Sequence, residues 1–143
     1  MVNRHRKRTP ANLGLQATAL KEIYSALIDK CVVEKERLVC IINIQPTYES
    51  QIYKIKIVYK IHHPPEAFLI SPNLQKRDDK RPSHLHSDDA EGNPSLCVYY
   101  PGYNEWDGVM LLAKTFVPWI STWLFAYENW LITGKWHYPE IPH

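Results

Sequence analysis

The sequence predicts an α+β domain: one N-terminal helix, an antiparallel meander of about four strands, then two or three C-terminal helices. Three periodicities carry that expectation. Leu13, Ala17, Leu20, Tyr24 and Leu27 recur at spacings of three and four, which puts them on one face of a helix. Tyr53, Ile55, Ile57, Tyr59 and Ile61 alternate with Lys54, Lys56, Val58 and Lys60, the pattern of a strand with one face in the core. Trp119, Trp123, Tyr127 and Trp130 follow at four, four and three, which returns the chain to helix.

The first helix is expected to begin near Thr9-Pro10, because Pro fits the first turn. Lys21, Glu22, Ser25 and Asp29 fall opposite its apolar stripe, and Cys31 prolongs the stripe. Residues 37–45 are a β-branched run that reads as a strand covered on both faces, ended by Pro46. Thr47-Tyr48-Glu49-Ser50 has hairpin length before the alternating strand. His62-His63-Pro64-Pro65 breaks the alternation, and Ala67-Phe68-Leu69-Ile70 supplies a third short strand. Residues 71–95 are almost wholly polar, and so long a loop in a small domain is either functional or disordered. Pro118 sits where a last helix starts, and Gly134 is its stop.

A chain of 143 residues that is 45% hydrophobic and 22% charged is the size and composition of one soluble domain. A net charge of +2 is too weak to argue for nucleic acid. The one basic run, Asn3-Arg4-His5-Arg6-Lys7-Arg8, precedes all periodicity, so residues 1–9 are read as a flexible basic tail and 10–143 as the domain. No apolar segment follows those charges as in a secretory signal. Residues 109–133 are the most hydrophobic stretch, yet Lys114, Pro118 and Glu128 interrupt it, which favours a buried helix over a membrane span. The three cysteines are expected reduced, in the cytoplasm.

Cys97 is the candidate nucleophile. Cys31 and Cys40 lie in apolar periodic segments and read as small buried hydrophobes. Cys97 instead ends a polar loop holding His84, His86, Asp88, Asp89 and Asn93. Imidazoles beside it favour thiolate or donate a proton, while the carboxylates push the thiol the other way. His84 and His86 with Cys97 also raise a zinc site, but the spacing matches no common framework, and no metal or cofactor is expected. A hydrolytic Cys-His pair uses the same residue types and stays open.

The order of parts resembles the ubiquitin-conjugating fold. In that family a Pro-Pro turn, a short strand, His-Pro-Asn, an approach of the type Gly-x-(Ile/Leu)-Cys and then a Trp surround the catalytic Cys. Pro64-Pro65, Phe68-Leu69-Ile70, Gly92-Asn93-Pro94-Ser95-Leu96-Cys97 and Trp106 stand in those places. The His-Pro-Asn triplet is absent. His84-Leu85-His86 lies near its position, so either histidine takes part of that role or the final transfer differs. A closer likeness is to bacterial conjugating-enzyme-like proteins of antiphage operons, notably short type II CBASS systems. It runs over roughly residues 50–137 and is most specific in Pro118-Trp119, Trp123-Leu124, Tyr127-Glu128, Trp130-Leu131 and Thr133-Gly134-Lys135-Trp136.

What the resemblance implies is a cysteine-dependent acyl transferase. Cys97 would form a thioester with the C-terminal Gly of a flexible-tailed partner, a cGAS/DncV-like nucleotidyltransferase. His84 and His86 would support catalysis, and Asn93, Leu96 and Trp106 would hold the partner's tail. Two alternatives remain beside it: a non-catalytic binding module of the same fold, and a deconjugating cysteine hydrolase.

Overall fold

The computed structural model describes residues 9–99 and 105–137; residues 1–8, 100–104 and 138–143 lie outside them. Helix α1 spans Leu13–Tyr24. Asn12 caps it, its side-chain oxygen accepting from the Leu15 amide at 2.8 Å, so the helix starts one turn after the Thr9-Pro10 that the sequence favoured. The helix is also shorter than its stripe. After a 3-10 turn, Ser25–Leu27, the chain enters strand β1, Ile28–Glu34. Leu27 is exposed, and Cys31, expected after the helix in line with its apolar stripe, is buried in the strand.

That strand was hidden for local reasons. A register shift between Ile28 and Lys30 breaks its period of two, and only Cys31 within it is buried. Its hairpin to strand β2, Arg37–Ile44, turns on Lys35 and Glu36, both with positive φ (50° and 63°). Such a turn normally advertises itself with Asn-Gly or Asp-Gly, and Lys-Glu does not.

Strand β2 alternates buried and half-buried residues rather than being covered on both faces. It pairs antiparallel with β3, Tyr53–Tyr59, from Leu38↔Tyr59 to Ile44↔Tyr53, and β3 pairs with β4, Glu66–Ser71. The alternation at 53–59 does what its pattern demands: Tyr53, Ile55, Ile57 and Tyr59 are buried in one cluster with Leu13, Ala17 and Leu20 of α1. Two short strands, β5 (Leu85–His86) and β6 (Ser95–Leu96), extend the sheet to the order β1-β2-β3-β4-β6-β5.

Among the described residues one C-terminal helix is present, α2, Phe116–Thr133, where two or three were expected. The segment before it is a run of turns tied to α1 by buried Gln16, whose amide donates to Met110 O and accepts from the Leu112 amide, both at 2.8 Å. Pro118 falls in the first turn of α2, where its missing N–H costs nothing. Gly134 ends the helix in the left-handed conformation, φ 78°, its amide donating to Trp130 O.

Candidate functional site

The sulfur of Cys97 sits where β6 ends. β6 is set on its inner side by Ser95 pairing with Phe68 of β4, and on its outer side by Leu96 pairing with Leu85 of β5. The Cys97 amide donates to the carbonyl of His84 at 3.0 Å. The same carbonyl accepts from Trp123 Nε1 at 3.0 Å, so α2 and the cysteine strand meet on one oxygen. Cys97 is half-buried, whereas Cys31 and Cys40 are buried. Its thiol makes a long contact, 3.9 Å, with the carbonyl of Tyr99. The Tyr99 hydroxyl donates to Pro65 O, fastening the segment after the cysteine to the Pro64-Pro65 turn.

His84 acts on this arrangement through its main chain. Its ring lies against Trp136, centroids 4.7 Å apart, and burial draws the imidazole below its usual pKa. His86 is exposed on β5. Among the described residues no imidazole hydrogen-bonds to the Cys97 sulfur. Leu96 is 2% exposed and part of the core. Trp106 packs edge-on to Tyr59, centroids 5.3 Å apart, and lines an open cleft of about 970 Å³ with Pro10, His62, His63 and Pro64. The sequence-picked residues therefore divide: His84, Leu96 and Cys97 share one patch of sheet edge, Asn93 stands just before it, and Trp106 borders the cleft beyond the Pro-Pro turn.

The approach to Cys97 is shaped by Asp89, which pattern reading took only as one of the loop carboxylates acting on the thiol. Asp89 accepts from the Asn93 amide at 2.8 Å, the Asn93 side chain at 3.1 Å, the Glu91 amide at 3.0 Å and Lys56 Nζ at 3.0 Å. Gly92, at φ 83°, closes the turn by donating to Asp89 O. Burial alone would raise the Asp89 pKa. The Asn93 backbone N–H and the Lys56 ammonium outweigh it and hold the carboxyl well below the usual range. Lys56 itself stands over the Phe68 ring, 5.3 Å from its centroid. An Asp followed four residues on by Asn, across a Gly, was the available signal; the Lys56 partner, thirty-three residues away in sequence, had none.

A second clamp orders the earlier part of the loop. Asp78 and Asp79 both have positive φ and form the tip of a tight turn in which Arg77 and Lys80 exchange backbone hydrogen bonds. The Arg77 guanidinium donates to Leu131 O at 2.7 Å near the end of α2, and the Gln75 amide donates to Tyr127 Oη at 2.7 Å. The loop is thus built, not free. Among the described residues no three His, Cys, Asp or Glu side chains are grouped to hold a metal ion, and no helix is long and apolar enough to cross a membrane.

Cys97 is thus the one of the three cysteines that is not buried, at a strand end reached through a clamped polar loop. The family model described as type II CBASS E2 protein matches residues 16–143. The chain belongs to the type II CBASS E2 protein family. Among curated proteins none matches it. Family membership gives the chain a conjugating-enzyme-like role in CBASS antiphage defence, and with it a protein partner from the CBASS operon.

Proposed function

We propose that this E2 family member has the ubiquitin-conjugating fold and carries an acyl group on Cys97 as a thioester to the C-terminal Gly of a cGAS/DncV-like nucleotidyltransferase. The observation that carries the reading is the contrast among the three thiols: Cys97 alone is half-exposed, at the end of a clamped loop. The Cys97 thiolate attacks the carbonyl carbon of an activated C-terminal carboxyl, an acyl adenylate or a thioester. The C–S bond forms, and the leaving group departs with its electron pair. The thiol proton passes to solvent or to a neighbouring imidazole, for which His84 and His86 are the choices on β5 and just before it. The oxyanion needs N–H donors other than the Gly92 and Asn93 amides, which Asp89 already engages. Asn93 and Leu96 position the turn at 92–96, and Trp106 holds the tail where the cleft begins.

The test is a co-expression of the chain with the operon's nucleotidyltransferase, read on reducing and non-reducing gels and by mass spectrometry. A thiol-labile adduct at Cys97 is expected, and excess thiol removes a thioester but not an isopeptide. Cys97→Ala is expected to abolish it while leaving the melting curve in place. An adduct that survives Cys97→Ala, or tight binding with no covalent species when the activated donor is supplied, overturns the acyl-carrier reading and leaves a tail-binding module.

A further inference from the structure

The core face beneath α1 carries two thiols that the Cys97 chemistry leaves unused. Cys31 of β1 and Cys40 of β2 are directly opposed in the ladder, both free and both buried, at 6% and 0% exposure. Opposed residues project to the same face of the sheet. Their Cα atoms lie about 4.5–5.5 Å apart in an antiparallel pair. That is inside the span of about 4.4–6.8 Å that a disulfide requires. The facing Cys40 thiol draws Cys31 down to about 7 against the opposing effect of burial, and Cys40 is reciprocally kept protonated. Lys21, in the last turn of α1, adds its positive charge on the same side. β1 is the outermost strand at that end of the sheet, and its ladder is already irregular between Ile28 and Lys30, so Cys31 is the more reachable sulfur.

We infer that Cys31 and Cys40 form an oxidation site, separate from Cys97, at which a peroxide closes a cross-strand disulfide between β1 and β2. The Cys31 thiolate attacks one peroxide oxygen; the S–O bond forms, the O–O bond breaks, and hydroxide leaves to become water on taking up a proton. The Cys40 sulfur then attacks the sulfenic sulfur. The S–S bond forms, the S–O bond breaks, and the Cys40 proton leaves with hydroxide as the second water. Two thiols are oxidised by one peroxide, with no other reductant or oxidant. The bond locks the edge strand under α1 and leaves the 89–97 turn untouched.

The full chain, treated with hydrogen peroxide, then unfolded in urea, capped with iodoacetamide and cut by trypsin without reductant, reads the result directly. Trypsin isolates Cys31 in residues 31–35, Cys40 in 38–54 and Cys97 in 81–114, because Arg81 precedes Pro82. The expected product is a 31–35/38–54 disulfide that dithiothreitol removes. It should form about tenfold more in the folded chain than in urea, since folding raises the effective concentration of one thiol at the other. The same product is expected from Cys97→Ser. Capped Cys31 and Cys40 after peroxide, equal yields folded and unfolded, or a link that requires Cys97 overturns the inference. None of these outcomes bears on whether Cys97 carries an acyl group.

Discussion

The meander under α1 and the loop that leads to Cys97 are held by opposite means. The meander rests on apolar burial: Leu20, Leu38, Ile42, Ile55 and Ile57 are fully enclosed, with little polar help. The loop has hardly any apolar surface to bury and is held by a few charged groups, each serving several partners. Asp89 gathers two amides, one side-chain amide and an ammonium; Arg77 reaches the end of α2. Burial is spread over many residues and does not depend on any one charge. A clamp is concentrated in one side chain and fails with it. The scaffold should therefore be sensitive to volume and the approach to Cys97 to charge.

The largest stability effect should come from volume. Ile57→Ala, at a site with no exposure, is expected to cost about 3 kcal/mol through lost burial and the cavity left behind. Urea denaturation measures it, and a loss near zero would break the contrast at its stronger end. Cys97 adduct formation, below the unfolding transition, should change little in that variant.

Asp89→Ala should show the reverse. Its melting temperature is expected to fall less than that of Ile57→Ala, while the adduct forms roughly ten- to a hundredfold more slowly, the scale of a misplaced reacting group. If adduct formation is unchanged, the clamp is not what positions Cys97. Asp89→Asn sharpens the point through pH. The folded pKa of Asp89 is depressed, so its ionised form stabilises the fold fully above the unfolded value of about 3.8, and the contribution is lost as pH falls through the lower folded value. The gap in melting temperature between wild type and Asp89→Asn is thus expected to be full above that pH and to close below it.

The smallest effect lies at the meander's own edge. Replacing Lys35-Glu36 by Asn-Gly relieves two left-handed residues and should stabilise by about 0.5–1 kcal/mol. A destabilisation would mean that the Lys35 and Glu36 side chains contribute something their exposure conceals.

Much of the scaffold could be read from the chain because its physics is local in sequence. Tyr53 to Tyr59 alternate because a pleated strand alternates, and Gly134 ends α2 because a left-handed residue suits glycine. The difference between Cys97 and the other two thiols could be read in the same way, from apolar pattern against polar loop. β1 could not, because a bulge and a turn without glycine erased both of its local signals.

The site resisted reading for a further reason. His84 was picked for its imidazole, yet its carbonyl is what holds the Cys97 amide and the Trp123 indole together, and no side-chain rule reports on a carbonyl. Asp89 and Lys56, or Arg77 and the end of α2, meet only after the sheet and helix have been assembled. The facing of Cys31 and Cys40 likewise waits on the register of β1 against β2. The sequence alone determined the α+β class, the central strands, the end of α2 marked by Gly134, and which thiol stands apart. Tertiary structure decided what surrounds that thiol and which other two thiols meet. Hydrophobic period is written in neighbouring residues, whereas a hydrogen bond or a thiol pair across strands depends on distances that only the folded chain sets.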